Sequence, residues 1–305
     1  MSTRIATEAT KNNYKKNLIR LNDGNEIKNY NFLKKTDSIL KKMEHLKPNT
    51  IRSYLIAIVS TIKDLKNFDK EKKIYYDLMM QMNKDLKENN SKSETQEKNW
   101  IDQNEVMNIF SSLCEKVMPL LNQKKVNAKE WHDILDFVVL SLYYLQQPRR
   151  NKDYQLMKVL KSTKDLDDNY KEFNYYDGDK FLFYNYKTKG TYHLQEVNVC
   201  EELKKILTSY LKLHPLKKEK NYFLLVDFNG EPLQQVNSIT RILNRIFHKR
   251  IGVSMLRNIY LTDKFKTPMD ELKHTAEAMG TSSNTIANTY VKTDDRDSMQ
   301  QLKDV

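Results

Sequence analysis

Residues 128–154 read Ala128-Lys-Glu-Trp131-His-Asp-Ile134-Leu135-Asp-Phe137-Val138-Val-Leu140-Ser-Leu142-Tyr-Tyr-Leu145-Gln-Gln-Pro148-Arg149-Arg150-Asn-Lys-Asp153-Tyr154. Almost every turn between Ala128 and Leu145 carries a large apolar side chain, which predicts a helix buried on most sides. Gln146-Gln147-Pro148 stops it, and Arg149, Arg150 and Asp153 follow at once. Guanidinium groups at the point where a chain has just left its core are not ordinary surface charge. The stretch therefore predicts a helical core and, at its edge, a place where an anion is met.

Upstream, Trp100 and Ile101 precede Asp102, an N-cap for a helix through Val106, Ile109, Phe110 and Leu113. Before that, residues 88–98 lack apolar anchors, and 91–99 reads as an interdomain linker. Residues 31–90 read as a separate helical domain. Phe32, Leu33, Ile39, Leu40, Met43 and Leu46 recur at helical spacing up to Pro48. Asn49-Thr50 offers a cap to a second helix striped by Ile51, Tyr54, Leu55, Ile58, Val59, Ile62 and Leu65, and Asp69 caps a third ending near Leu86. Residues 1–30, with Lys11, Lys15, Lys16 and Arg20, read as a basic arm, mobile or helical.

Downstream the period changes. Lys180–Lys187 and Tyr192–Val199 are aromatic and β-branched and flank Thr188-Lys189-Gly190-Thr191, which predicts a β-hairpin with Lys187 and Lys189 at its tip. Helical spacing returns at 203–211 and 239–247, with a tight turn at Asn229-Gly230 between them. Ser254 is expected to cap a helix holding Leu256, Arg257 and Tyr260; a further helix is expected over 269–279, entered through Pro268 and ended by Gly280. Ser283 or Asn284 then caps a short helix that ends in Tyr290, which taken alone is a half-buried aromatic, one of 18 tyrosines. The fold class is mainly α with a small β-sheet (α+β), in two domains, the second spanning 100–305.

Composition narrows the functional classes. A formal net charge of +12 points to a polyanionic partner, nucleic acid first. No apolar run is long enough to span a bilayer and the N-terminal residues lack the apolar core of a signal peptide, so an intracellular, soluble protein that works on DNA is expected. The two cysteines, Cys114 and Cys200, have no His or Cys neighbours at ligand spacing and predict neither a disulfide framework nor a zinc site.

The order of these parts resembles the tyrosine recombinases, or phage-type integrases. Arg150 with Asp153 three residues on is similar to the family's first arginine and its acidic companion. Ser254-Met-Leu-Arg257 is similar to its His-x-x-Arg box, Gly280-Thr281 to its Gly-His, and Tyr290 follows Thr281 by nine residues, the family spacing. Lys187, with Lys189 as alternate, stands where the family has a catalytic lysine on a hairpin. The flavour of Pro148–Tyr154 and Val253–Leu261 resembles recombinases of large DNA viruses and their mobile elements. The resemblance covers most of the chain and implies a helical core-binding domain followed by a catalytic domain.

What the resemblance implies is cleavage and rejoining of double-stranded DNA. Tyr290 would be the nucleophile, Arg150 and Arg257 would hold the non-bridging oxygens, and Lys187 would protonate the departing 5'-oxygen. The 3'-phosphotyrosyl intermediate conserves the bond energy, so neither metal nor cofactor is called for. A homodimer or homotetramer on DNA is implied, with a polar tail after Val291, anchored by Met299, Leu302 and Val305, that docks on a neighbour or frays.

Two positions depart from the family. Ser254 and Thr281 replace the usual histidines; their hydroxyls donate to a phosphate oxygen but do not shuttle protons as imidazole does. His248 and His274 lie near these boxes as substitutes. The alternative function is thus a catalytically impaired DNA-binding protein on a recombinase scaffold. An RNA-binding helical protein is a third reading, which predicts a preference for single strands and no covalent product.

Overall fold

The helix over Ala128–Tyr144 (α7) forms because Asn127 caps it in a reciprocal box: the Asn127 side chain accepts from Lys129 and Glu130, and Glu130 accepts from the Asn127 N–H. Its residues from Ile134 to Tyr143 are all buried. The computed structural model describes residues 7–88, 91–162, 166 and 168–292. The chain divides into two units, 1–93 and 94–305.

The first unit is built from α1 (Glu8–Leu21), α2 (Thr36–Met43), α3 (Pro48–Ile62) and α4 (Asp69–Glu88). Its core holds Leu18, Leu21, Leu33, Ile39, Met43, Leu55, Ile58, Ile62 and Tyr75. The basic stretch 1–30 is thus helical over Glu8–Leu21, and Leu18 and Leu21 sink its inner face into that core while Lys11, Lys15, Lys16 and Arg20 stay exposed. α3 starts at Pro48 rather than after Asn49-Thr50, because proline, lacking an N–H, fits the first helical position without loss. The Tyr75 hydroxyl donates to the Leu33 carbonyl at 2.8 Å, which satisfies a phenol that burial holds protonated far above its usual range.

In the second unit α5 (Glu94–Asn99), inside the expected linker, leads to α6 (Gln103–Leu121), capped by Asp102 through the Glu105 N–H. After α7 come α8 (Asn151–Gln155), β1 (Lys158–Leu160), β2 (Asn174–Tyr176), β3 (Lys180–Phe183), α9 (Lys189–Tyr192), β4 (Gln195–Asn198), α10 (Glu201–Leu213), β5 (Asn221–Phe223), α11 (Ser238–Phe247), α12 (Val253–Ala278) and α13 (Ser283–Thr285). The protein is mostly helical with one small mixed sheet, which is the expected α+β class. Strand order is β4-β3-β2-β1-β5, parallel only between β1 and β2. Alternation sorts the strands' side chains: Tyr176, Phe181 and Phe183 enter the main core with α7 and α10, whereas Leu160, Tyr175 and Leu182 form a second layer under Tyr170 and Phe173. Among the described residues no helix is long and apolar enough to cross a membrane.

Three local expectations change. β3 and β4 pair antiparallel, but their connection is residues 184–194, longer than the expected four-residue turn and containing α9. Gly190 does not take up a left-handed conformation; His193 does, at φ 51°. The turn therefore does not use its glycine, and Tyr186 folds inward instead, its hydroxyl donating to the His193 carbonyl at 2.7 Å. α12 runs unbroken through Pro268, where a new helix was expected. Proline costs that helix the bond to the Lys264 carbonyl, but both residues are exposed, so water takes the carbonyl. Gly252 is its N-cap, and Ser254 is an exposed residue of the first turn instead of the cap.

The buried His214 gives the core a pH signature. Its ring lies between Trp131, Tyr210 and Tyr222, and Nδ1 accepts the Leu216 N–H at 3.2 Å. Burial pushes its pKa down to about 4, opposed by the nearby Leu224 and Phe223 carbonyls. A depressed histidine pKa means that the unfolded chain binds the proton more readily. The neutral ring's contribution is therefore full above about pH 6.5 and is lost as pH falls toward 4, by about 3 kcal/mol in all. Both tryptophans, Trp100 and Trp131, lie in this unit, so urea unfolding followed by tryptophan fluorescence reads it selectively. The loss of stability between pH 7.5 and pH 5 is expected to be about 2 kcal/mol smaller in His214→Gln than in wild type. Equal losses in the two proteins would contradict it.

Candidate functional site

Arg150 is the N-cap residue of α8, a helix of five residues pinned on every side. Asn151 donates to the Thr240 hydroxyl of α11 at 3.3 Å, the Gln155 amide donates to the Leu233 and Gln235 carbonyls at 2.6 and 2.7 Å, and Tyr154 is buried against Phe181 and Phe183. α12 begins at the same place. A Cβ on its cap, Gly252, would lie 3.4 Å from the Thr240 methyl group. Val253, Met255, Leu256 and Ile259 then bury the root of α12, which leaves Arg257 partly exposed one turn in. Thr240 thus meets both Asn151, next to Arg150, and Gly252, the cap of the helix that holds Arg257. Neither guanidinium has a hydrogen bond or ion pair with any described residue.

The Asp153 side chain pairs with the Arg149 guanidinium, while the Arg150 backbone N–H and charge also act on it. Its Oδ2 accepts from Arg149 Nε at 2.9 Å, while Arg149 Nη2 donates to Gln195 Oε1 at 3.0 Å. Burial raises the Asp153 pKa, against the pull of the Arg149 guanidinium. Arg149 also stacks on Phe183, its guanidinium carbon 3.7 Å from the ring centre. Spacing alone does not select this pairing, because Arg149 and Arg150 stand four and three residues before Asp153 and both spacings meet on one helical face. Two more residues that composition does not single out, Gln195 and Asn174, complete the network. The Asn174 amide donates to the carbonyls of Asp153 and Asn185 at 2.9 and 3.1 Å and accepts the Asn185 N–H at 2.7 Å.

The β3–β4 connection carries both candidate lysines. Lys189 Nζ donates to Asn185 Oδ1 at 3.0 Å, whereas Lys187 is exposed and without a partner among the described residues. Ser254 is exposed on the first turn of α12, beside Arg257.

Thr281 and Tyr290 are elsewhere. Beyond Tyr260 the helix α12 leaves the body: residues 261–271 are all exposed. At about 1.5 Å per residue, its axis from Arg257 to Ala278 runs about 30 Å. There the chain reverses through Gly280 at φ 63°, whose N–H donates to the Glu277 carbonyl while the Thr281 N–H donates to Ala276, a Schellman ending. Ser282, one residue before the expected cap, accepts the Thr285 N–H at 3.0 Å. Ile286–Tyr290 then form a π-helical turn whose Ile286, like Ala276, is buried. Residues 283–290 span only about 12 Å at helical rise, too little to return to Arg257. Tyr290 is 59% exposed rather than half-buried, and stands apart from both arginines.

His248 is exposed in a left-handed conformation at the end of α11, and His274 lies on the projecting part of α12, Nδ1 4.0 Å from Glu277. Among the described residues no group of three or more His, Cys, Asp or Glu side chains could hold a metal ion. Met299, Leu302 and Val305, the expected tail anchors, lie outside the described residues. Comparison with models of known families, with curated proteins and with solved structures finds no match.

Proposed function

We propose that the chain is a site-specific DNA recombinase of the tyrosine recombinase type, with a helical DNA-binding unit and a catalytic unit. The observation that carries this reading is that α8, which Arg150 caps, and α12, which holds Arg257 one turn in, both start against Thr240 of α11, while neither guanidinium has a hydrogen bond or ion pair among the described residues. Two buried helix roots that present free, permanently charged forks are suited to the two non-bridging oxygens of one phosphodiester. The Ser254 hydroxyl adds a neutral donor on the first turn of α12, the helix of Arg257, and Lys187 is a cation of the β3–β4 connection without a partner among the described residues. Tyr290 Oη gives up its proton to solvent and forms a bond to phosphorus as the P–O5' bond breaks, and the Lys187 ammonium gives its proton to O5'.

A second copy of the chain supplies Tyr290. The projecting half of α12 carries Leu261, Phe265 and Met269 at successive i,i+4 positions, all exposed among the described residues. Its far end lies about 30 Å along the helix axis from Arg257, and the short segment beyond it bears the nucleophile. A homodimer or larger ring that seats this arm on a neighbour covers the stripe and completes the site in one step. The central test is covalent capture of DNA through Tyr290.

Binding should weaken steeply with salt, since each phosphate neutralised on duplex DNA adds about 0.9 to the slope of log affinity against log salt concentration. With +12 net charge, a slope of magnitude about 5 or more is expected in a fluorescence titration between 50 and 200 mM salt. A slope near zero would remove the DNA partner. One observation favours the second reading, a DNA-binding protein with impaired chemistry: Ser254 and Thr281 occupy the histidine positions. Absence of acid–base help slows such steps by about 10² to 10⁴, a handicap that leaves the phosphate clamp intact.

A further inference from the structure

We infer that Arg149 is a positioning residue that staples both feet of the 184–194 connection to the base of α8 and so sets where Lys187 stands relative to Arg150; the inference rests on the recombinase reading. One planar cation touches the last residue of β3, through its stack on Phe183 at 3.7 Å, and the first residue of β4, through the Gln195 Oε1 bond at 3.0 Å. It lies 5.4 Å from the Tyr186 ring inside the connection. Its remaining contact, to Asp153, fastens the assembly to the helix that Arg150 caps.

The staple is rigid where its environment is dry. The Asp153 side chain is 3% exposed and that of Arg149 20%, so their bond is little weakened by water. Asn174 supplies a second tie, binding the Asn185 backbone at both N–H and carbonyl and the Asp153 carbonyl. Within the connection the Tyr186 hydroxyl braces His193, and Asn185 Oδ1 holds Lys189. Lys187 is the lysine left to act, on a loop whose two ends cannot drift from α8. A lysine at position 149 has neither the fork for Asp153 and Gln195 together nor the plane for the aromatic face.

Two measurements test this. Hydrogen exchange of residues 184–194 reads the staple independently of any activity: in Arg149→Lys and in the milder Gln195→Ala, exchange there is expected to be at least about 10-fold faster, with α7 and α10 unchanged. The second measurement compares cleavage of duplex DNA with an ordinary 5'-oxygen leaving group and with a 5'-sulfur one. A thiolate departs without a proton, so a defect in placing the acid shows only with oxygen. Both variants are expected to lose about 100-fold on the oxygen substrate and to come within about 3-fold of wild type on the sulfur substrate. Unchanged exchange in the connection overturns the staple. Faster exchange with equal losses on both substrates overturns its link to Lys187. If wild type forms no adduct on either substrate, the recombinase reading and the acid-placing role fall together, and the exchange result alone decides whether the staple stands.

Discussion

On a duplex nicked close to the scissile phosphate, the wild-type chain is expected to leave a protein–DNA species that survives denaturing electrophoresis, and Tyr290→Phe to leave none. The nick lets the short product strand diffuse away, so the phosphotyrosine cannot be reversed and accumulates. Phenylalanine removes one hydroxyl from a side chain 59% exposed, a change that costs the fold within about 0.5 kcal/mol. Total loss of the adduct then reports chemistry, not unfolding. The geometry makes a sharper demand. With α12 running about 30 Å from Arg257 before the segment that carries Tyr290 begins, neither Tyr290→Phe nor Arg257→Ala alone is expected to form the adduct efficiently, yet their mixture should. The Tyr290→Phe copy supplies an intact arginine pair, and the DNA becomes linked to the Arg257→Ala copy, which a size tag on one chain identifies. A mixture as inactive as its parts would mean that Tyr290 serves its own site, which requires α12 to break, Pro268 being the weak point. Adduct formation by Tyr290→Phe would hand the role to another of the 18 tyrosines.

Parts of this architecture were legible in the sequence wherever the deciding partner lies close by in the chain. The Asp102 cap and the buried face of α7 are local patterns, and both appear where the spacing places them or within a residue of it. The β3–β4 pair was legible as two runs of aromatic and β-branched residues, but its connection was not. Gly190 suggested a tight turn, whereas Tyr186 gains more by entering the core, and that draws residues 184–194 into a longer path. The ordered candidates Arg150, Ser254 and Arg257 fall on neighbouring roots because Thr240, a residue with no motif of its own, touches both. The unbroken α12 was hidden for a different reason. Pro268 argues for a boundary, and Leu261, Phe265 and Met269 look like an inward stripe, but all three are exposed among the described residues. Periodicity shows that a face is apolar and says nothing about which molecule covers it.

Replacing either free arginine separates catalysis from occupancy. Arg150→Ala and Arg257→Ala are each expected to slow adduct formation by about 10² to 10³, the usual cost of removing one preorganised donor from a developing oxyanion. Duplex affinity should change far less, because one phosphate contact among several shifts the salt slope by only about 0.9. Stability should hold too: both guanidinium groups lack partners among the described residues, so removing them orphans no buried carboxylate there. Arg149→Ala differs in this respect, since it abandons Asp153 in a dry site. Lysine at 150 or 257 should recover only part of the rate, as a point charge in place of a fork. The two functions then predict opposite outcomes. In an enzyme the rate collapses while binding persists; in a decayed scaffold the wild type gives no adduct and these substitutions alter only the titration. Ser254 and Thr281 set the scale of the comparison: if hydroxyls carry the histidines' share poorly, the wild-type rate starts low and each arginine loss is measured against that baseline. Covalent capture is therefore read as a ratio to wild type over hours, and a ratio near one for both alanine variants removes Arg150 and Arg257 from the chemistry.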